Sequence, residues 1–139
     1  MIAGADRTRD APEMRICALI PAFNEAPHIA AVVRGAGKHV REVVLVDDGS
    51  SDSTADIAAA AGAVCLRSNR NHGKATALRT GLAHVWEREF THVLFLDGDG
   101  QHCPDDIPSL IRVAGETNAD LVIGTRSFDI ERIGACQAL

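Results

Sequence analysis

T-H-V-L-F-L-D-G-D-G-Q-H, residues 91–102, sets four apolar residues directly before two carboxylates. Val93, Leu94, Phe95 and Leu96 form the run expected of a strand buried on both faces of a parallel sheet. It stops at Asp97 and Asp99, separated by one glycine, and Gln101 and His102 follow. In an open α/β sheet ligands bind beyond the carboxyl ends of the strands, where these acids fall. Two acids beside a glycine and an amide oxygen suit a hard divalent cation. Mg²⁺ or Mn²⁺ takes oxygen ligands and keeps positions for substrate phosphates. Asp and Gly are also ordinary turn chemistry, and D-G-D-G alone favours an acidic turn. Its place directly after an apolar strand favours a site.

The same pattern recurs outward from this stretch. Residues 15–21 (R-I-C-A-L-I-P) read as a first strand. A-F-N-E follows, with Asn24 or Glu25 placed to cap a helix and Pro27 suited to its first turn. Ile29, Ala30, Val32 and Val33 give that helix an apolar face, and Gly35 with Gly37 ends it. Residues 42–46 form a second strand running into D-D-G-S-S-D-S-T. There Ser53 and Asp56 have the spacing of a capping box for an alanine-rich helix through Ala61. Residues 63–66 are a third strand. After the loop S-N-R-N-H-G-K, Ala75, Leu78, Leu82, Val85 and Trp86 repeat at helical spacing. Beyond His102, Pro104 opens a helix carrying Ile107, Leu110, Ile111 and Val113, closed by Gly115. Residues 120–124 are a fifth strand.

Strands alternating with helices predict an α/β fold: three layers, a mostly parallel sheet with helices on both faces. Asn24 and Glu25, Asp47 and Asp48, Asn71 and Lys74, 97–102, and Arg126 each follow a strand. In a doubly wound sheet such loops converge on one edge.

With 139 residues, 46% hydrophobic and 24% charged, the chain has the composition of one soluble domain with a real core. A net charge of −5 without a Lys/Arg run argues against a nucleic-acid partner. No apolar run approaches the ~20 residues that span a bilayer, and the N-terminus lacks the apolar core of a secretory signal. Residues 1–14 read as a disordered leader, 15–128 as the core and 129–139 as an unassigned tail. Cys17, Cys65, Cys103 and Cys136 are scattered with no C-x-x-C. This predicts neither a zinc site nor a disulfide framework, with a reducing cytoplasm as the default.

A carboxylate at the end of a strand, such as Asp47 or Asp48, can accept hydrogen bonds from a base or a ribose. Helix capping is the ordinary alternative, but Ser53 and Asp56 supply a cap further on. Asn71-His72-Gly73-Lys74 precedes a helix, so its amides and Lys74 can face a phosphate; it lacks the P-loop spacing, and alone reads as a plain loop. Of the histidines only His102 stands beside the acidic pair. Neither G-x-S-x-G nor H-E-x-x-H occurs, and G-x-G-x-x-G is missing after the first strand.

P-A-F-N-E at 21–25, V-D-D-G-S-S-D-S-T at 46–54, N-x-G-K at 71–74, D-G-D-G-Q-H at 97–102 and G-T-R at 124–126 occur in that order. Over residues 15–128 the chain resembles family 2 glycosyltransferases of the GT-A fold. It is most similar to the branch of dolichyl-phosphate mannose synthases and polyprenyl-phosphate sugar transferases. The resemblance implies a nucleotide-sugar pocket lined by Pro21, Ala22, Phe23 and Glu25, with Asp48 at the base and Asp47 beside it. It places Gly73 and Lys74 near the nucleotide and Asp97 near ribose and phosphate. Asp97, Asp99 and Gln101 become ligands of Mg²⁺ or Mn²⁺, Arg126 meets the acceptor phosphate, and Asp99 and Arg126 carry catalysis.

The implied reaction moves a sugar from a nucleotide-diphosphate sugar to a polyprenyl (dolichyl or undecaprenyl) phosphate, at the cytoplasmic face and peripheral to the membrane. A saccharide acceptor, or a non-catalytic nucleotide-binding fragment, is the alternative. A receiver-like domain phosphorylated at Asp47 or Asp48 is a third. Two departures stand out. Cys103 occupies a position where members often have proline. Family catalytic domains also run on for roughly another hundred residues, which implies a shortened copy keeping the donor half. A sheet cut at its fifth strand exposes an edge, so dimerisation or aggregation is expected.

Overall fold

The computed structural model describes residues 13–117 and 119–125. β1 (Ile16–Ala22) is buried along its whole length. It pairs in parallel with β2 (Glu42–Asp47) on one side, Leu19 opposite Val44, and with β4 (His92–Phe95) on the other, Leu19 opposite Phe95. β3 (Val64–Arg67) adds to β2, giving the order β3-β2-β1-β4. Because side chains alternate across a strand, β1 and β2 feed two separate cores. Ala18, Ile20, Val43 and Leu45 pack on one face against Ile29, Val33 and Ala36 of α1 (Ile29–Gly37) and Ala58 of α2 (Thr54–Ala60). Cys17, Leu19, Val44 and Val46 pack on the other against Ala77 and Val85 of α3 (Lys74–Trp86). A turn of 3₁₀ helix, Pro104–Asp106, leads into α4 (Ile107–Thr117), whose Ile107 joins the first core. The three-layer α/β architecture expected from the alternation is the one observed.

Two glycines are packing residues. A Cβ on Gly35 would lie 2.5 Å from Pro104 Cγ, so Gly35 seats the 3₁₀ turn on α1 instead of ending that helix. On Gly81 it would lie 2.3 Å from Leu19 Cδ1 and 2.9 Å from Val46 Cγ2, so α3 rests directly on the sheet. Gly81→Val is expected to destabilise the fold by about 2 kcal/mol through overpacking, read as a lower midpoint in urea with an unchanged slope. Burial pushes the Cys17 thiol up to about 11 and raises that of Cys65, as befits core sulfurs.

Several sequence expectations are corrected. β4 is half-buried and Phe95 is 49% exposed, because β1 is its only strand neighbour among the described residues. Residues 121–124 form no strand; among the described residues no neighbouring strand receives their N–H and C=O groups, and Leu121 and Ile123 are exposed. α4 runs past Gly115. α1 has His28 as its N-cap residue, with neither Asn24 nor Glu25 capping it by its side chain. Cys17 and Cys65 are free.

Candidate nucleotide-sugar site

β1, β2 and β4 end on the same edge of the sheet, and α3 begins there. Between them lies a cleft of about 240 Å³. Pro21, Ala22, Phe23 and Glu25 line it from the end of β1, Asp48 from the end of β2, and Lys74 from the first turn of α3. Asp97 and Asp99 line it from beyond β4. Eight of the residues singled out from the sequence thus meet in one place. Asn71, Ala77 and Gly98 line it as well. Asn71 lies in a loop already suspected, Gly98 lies between the two acids, and Ala77 has no signal beyond its helical position.

Asp48 is buried, and both its oxygens are engaged. Oδ1 accepts the His72 N–H at 2.9 Å and Oδ2 the Gly73 N–H at 2.7 Å. The view that Asp47 and Asp48 lack a structural task is therefore corrected. Asp48 latches the 71–74 loop, and Asp47 Oδ1 accepts the Ser50 N–H at 2.9 Å, outside the cleft lining. Gly73, with φ +89°, takes part through its backbone and does not line the cleft. The capping box is also corrected. Ser53 makes no side-chain cap; Asp52 Oδ1 accepts the Thr54 N–H at 2.9 Å, and Asp56 pairs with Arg67. An Asp two residues ahead of the amide offers the shorter loop.

Asp97 is held twice. Its N–H donates to His102 Nδ1 at 3.0 Å, which folds the acidic loop back on itself, and its carboxylate pairs with Lys74 Nζ at 2.5 Å. That ion pair is well exposed, so it contributes little to stability. It matters by position, since among the described residues Lys74 is the one cationic side chain lining the cleft, beside four carboxylates: Glu25, Asp48, Asp97 and Asp99. Asp99 Oδ1 accepts the Gln101 N–H at 2.9 Å, and Gln101 itself lies outside the lining.

Among the described residues, no three His, Cys, Asp or Glu side chains converge on a metal position. Two carboxylates completed by substrate phosphates still match how Mg²⁺ is commonly held. Asp97 and Asp99 fit that donor set, while Gln101 as a third ligand does not follow from the lining. Arg126 lies outside the described residues.

An acidic cleft beyond the carboxyl ends of the strands stands where open α/β sheets bind their ligands. Residues 17–135 match Glycosyl transferase family 2, and the chain belongs to that family. It is 37% identical over 118 residues to an uncharacterized protein of Methanocaldococcus jannaschii, covering 80% of this chain and 52% of that one. It is 34% identical over 121 residues to the undecaprenyl-phosphate 4-deoxy-4-formamido-L-arabinose transferase of Serratia proteamaculans, covering 78% of this chain and 36% of the relative. Among solved structures, glucosyl-3-phosphoglycerate synthase of Mycobacterium tuberculosis, in complex with Mn²⁺, UDP and glucosyl-3-phosphoglycerate, aligns with a TM-score of 0.63 at 27% identity. That alignment covers 73% of this chain and 39% of the synthase. The fold is thus the GT-A fold, and the chain spans about half or less of the length of these relatives.

Proposed function

We propose that this chain forms the nucleotide-sugar-binding part of a metal-assisted glycosyltransferase whose acceptor is a polyprenyl phosphate. The carrying observation is the charge of the cleft, where among the described residues four carboxylates face one lysine. A nucleoside diphosphate entering alone meets repulsion that a divalent cation would reverse. Asp97 and Asp99 are the residues to hold that cation. When bound, it supplies stabilisation of the charge that develops on the departing diphosphate. Phe23 and Pro21 offer apolar surface to the base, and Lys74 shares the phosphate region with Asp97.

Arg126 is assigned to the acceptor phosphate and, with Asp99, to catalysis. A lipid phosphate is already an anionic nucleophile, so transfer depends on positioning more than on a general base. The name of the Serratia relative supports this acceptor. The structural likeness to a synthase crystallised with glucosyl-3-phosphoglycerate favours a second reading, in which the acceptor is a small phosphorylated hydroxy acid. Supplying undecaprenyl phosphate and phosphoglycerate in parallel with UDP- and GDP-sugars separates the two.

Placement at the cytoplasmic face, peripheral to the membrane, belongs to the same proposal; no described helix is long and apolar enough to cross a membrane. Self-association is proposed as well, because Phe95 of β4 and Trp86 at the end of α3 are exposed. A single monomeric species in sedimentation at micromolar concentration would contradict it. The donor reading is tested by calorimetric titration of UDP and GDP with and without Mn²⁺. Binding of one nucleotide that requires the metal is expected. A folded sample that binds neither sinks the reading.

A further inference from the structure

The loop carrying Phe23 and Glu25 has an unusual support. Three successive backbone amides, of Asn24, Glu25 and Ala26, donate to side chains of one other segment, 50–54. The Asn24 N–H donates to Ser50 Oγ at 2.9 Å, the Glu25 N–H to Thr54 Oγ1 at 2.8 Å and the Ala26 N–H to Asp52 Oδ2 at 3.2 Å. The connection is returned by Asn24, whose Oδ1 accepts the Ser51 N–H at 2.8 Å. Thr54 is fully buried, and its hydroxyl donates in turn to Asp52 Oδ1. That hydroxyl, foremost among the bonds to Asp52, holds the carboxyl below its ordinary range. Asn24 sits at φ +55°, a conformation that L side chains rarely adopt and that surrounding bonds must hold in place. The residues on either side of it, Phe23 and Glu25, are the ones that line the cleft.

We infer that Asp52 and Thr54, neither of which lines the cleft, are positioning residues for donor binding. They act through the 23–26 loop by fixing its amides, and so the places of Phe23 and Glu25. The inference rests on the donor reading above. An ordinary structural role would make these residues matter for stability alone; a positioning role makes them matter for affinity beyond any loss of stability.

The test compares Thr54→Val, Thr54→Ser and Asp52→Asn with Val33→Ala, a buried α1 position remote from the loop. Nucleotide affinity is measured by calorimetry with Mn²⁺ and either UDP or GDP, alongside each thermal midpoint and the exchange rate of the Glu25 amide. Thr54→Val is expected to weaken binding roughly tenfold and Asp52→Asn roughly threefold, the scale of one or two lost hydrogen bonds. Thr54→Ser keeps the hydroxyl and should stay within about twofold of wild type. Val33→Ala should lower the midpoint and leave affinity unchanged. The Glu25 amide should exchange faster in Thr54→Val and not in Val33→Ala. Should Thr54→Val fail to fold, the exposed Asp52→Asn carries the comparison. Variants that bind as Val33→Ala does overturn the positioning role while leaving the donor site standing. A folded wild type that binds neither nucleotide overturns the donor reading, and the role falls with it.

Discussion

Asp99→Ala is expected to abolish the metal-dependent part of nucleotide binding, weakening it about 100-fold or more. The size follows from what remains in the cleft. With Asp99 gone, Asp97 is the only carboxylate beyond β4 still lining it among the described residues, and Lys74 already pairs with Asp97 at 2.5 Å. A cation would have one oxygen ligand from the acidic loop, contested by an ammonium. Changes to groups that merely orient metal ligands cost about 10–100-fold in affinity, so a direct ligand belongs at or above that range. Removing the side chain also deprives the Gln101 N–H of its acceptor, which could loosen the loop by itself. Asp99→Asn separates the causes, since it keeps an oxygen for that amide and loses only the charge. Equal failure of both variants in Mn²⁺ titrations assigns the loss to charge. Wild-type affinity in Asp99→Ala removes Asp99 from the metal site. Adding EDTA to the wild type should reproduce the mutant's affinity, because the same contribution is withdrawn from the other side.

The parts of this site that could be read in the sequence are those where local order and position coincide. The apolar runs of β1 and β2 and the helical spacing of α3 fix which residues stand at strand ends and at the start of α3, and eight of the residues so singled out meet in the cleft. Depth in the sheet is another matter. The run 93–96 reads as a doubly covered strand, yet burial depends on neighbours across the sheet, and among the described residues β4 has β1 on one side alone. Residues 120–124 carry the same apolar signature and form no strand, with no partner strand among the described residues. Hydrogen-bond duties are equally hidden when they span loops. Asp48 is matched to amides 24 and 25 residues away, and Thr54 to one 29 residues away, distances at which no periodicity speaks. The short-range rule for capping failed for a related reason. Asp52 closes a loop of only two residues onto the Thr54 amide, and its carboxylate is a stronger acceptor than the Ser53 hydroxyl.

Gly49→Ala is expected to be the most damaging single-methyl addition in the described chain, costing about 3 kcal/mol or more. Two terms add. Gly49 has φ +78°, where a Cβ costs about 1–2 kcal/mol by itself. The new methyl would also lie 2.4 Å from the Arg70 carbonyl carbon and 2.7 Å from Asn71 N. Those are backbone atoms that cannot swing aside as a side-chain tip can. Displacing them pulls the 71–74 loop from Asp48, endangering the His72 and Gly73 bonds and with them the placement of Lys74. Gly62 provides the control, because its φ of +106° carries the conformational cost while nothing lies within 4 Å of its added Cβ. Gly62→Ala should therefore lose only about 1–2 kcal/mol and keep full nucleotide affinity. Gly49→Ala should melt roughly 10 °C or more below wild type and bind nucleotide more weakly even where it is fully folded. If the two variants melt together, the close approach of the β2 turn to the 70–71 backbone is wrong. If Gly49→Ala melts low but binds normally, the latch stabilises the fold without shaping the site.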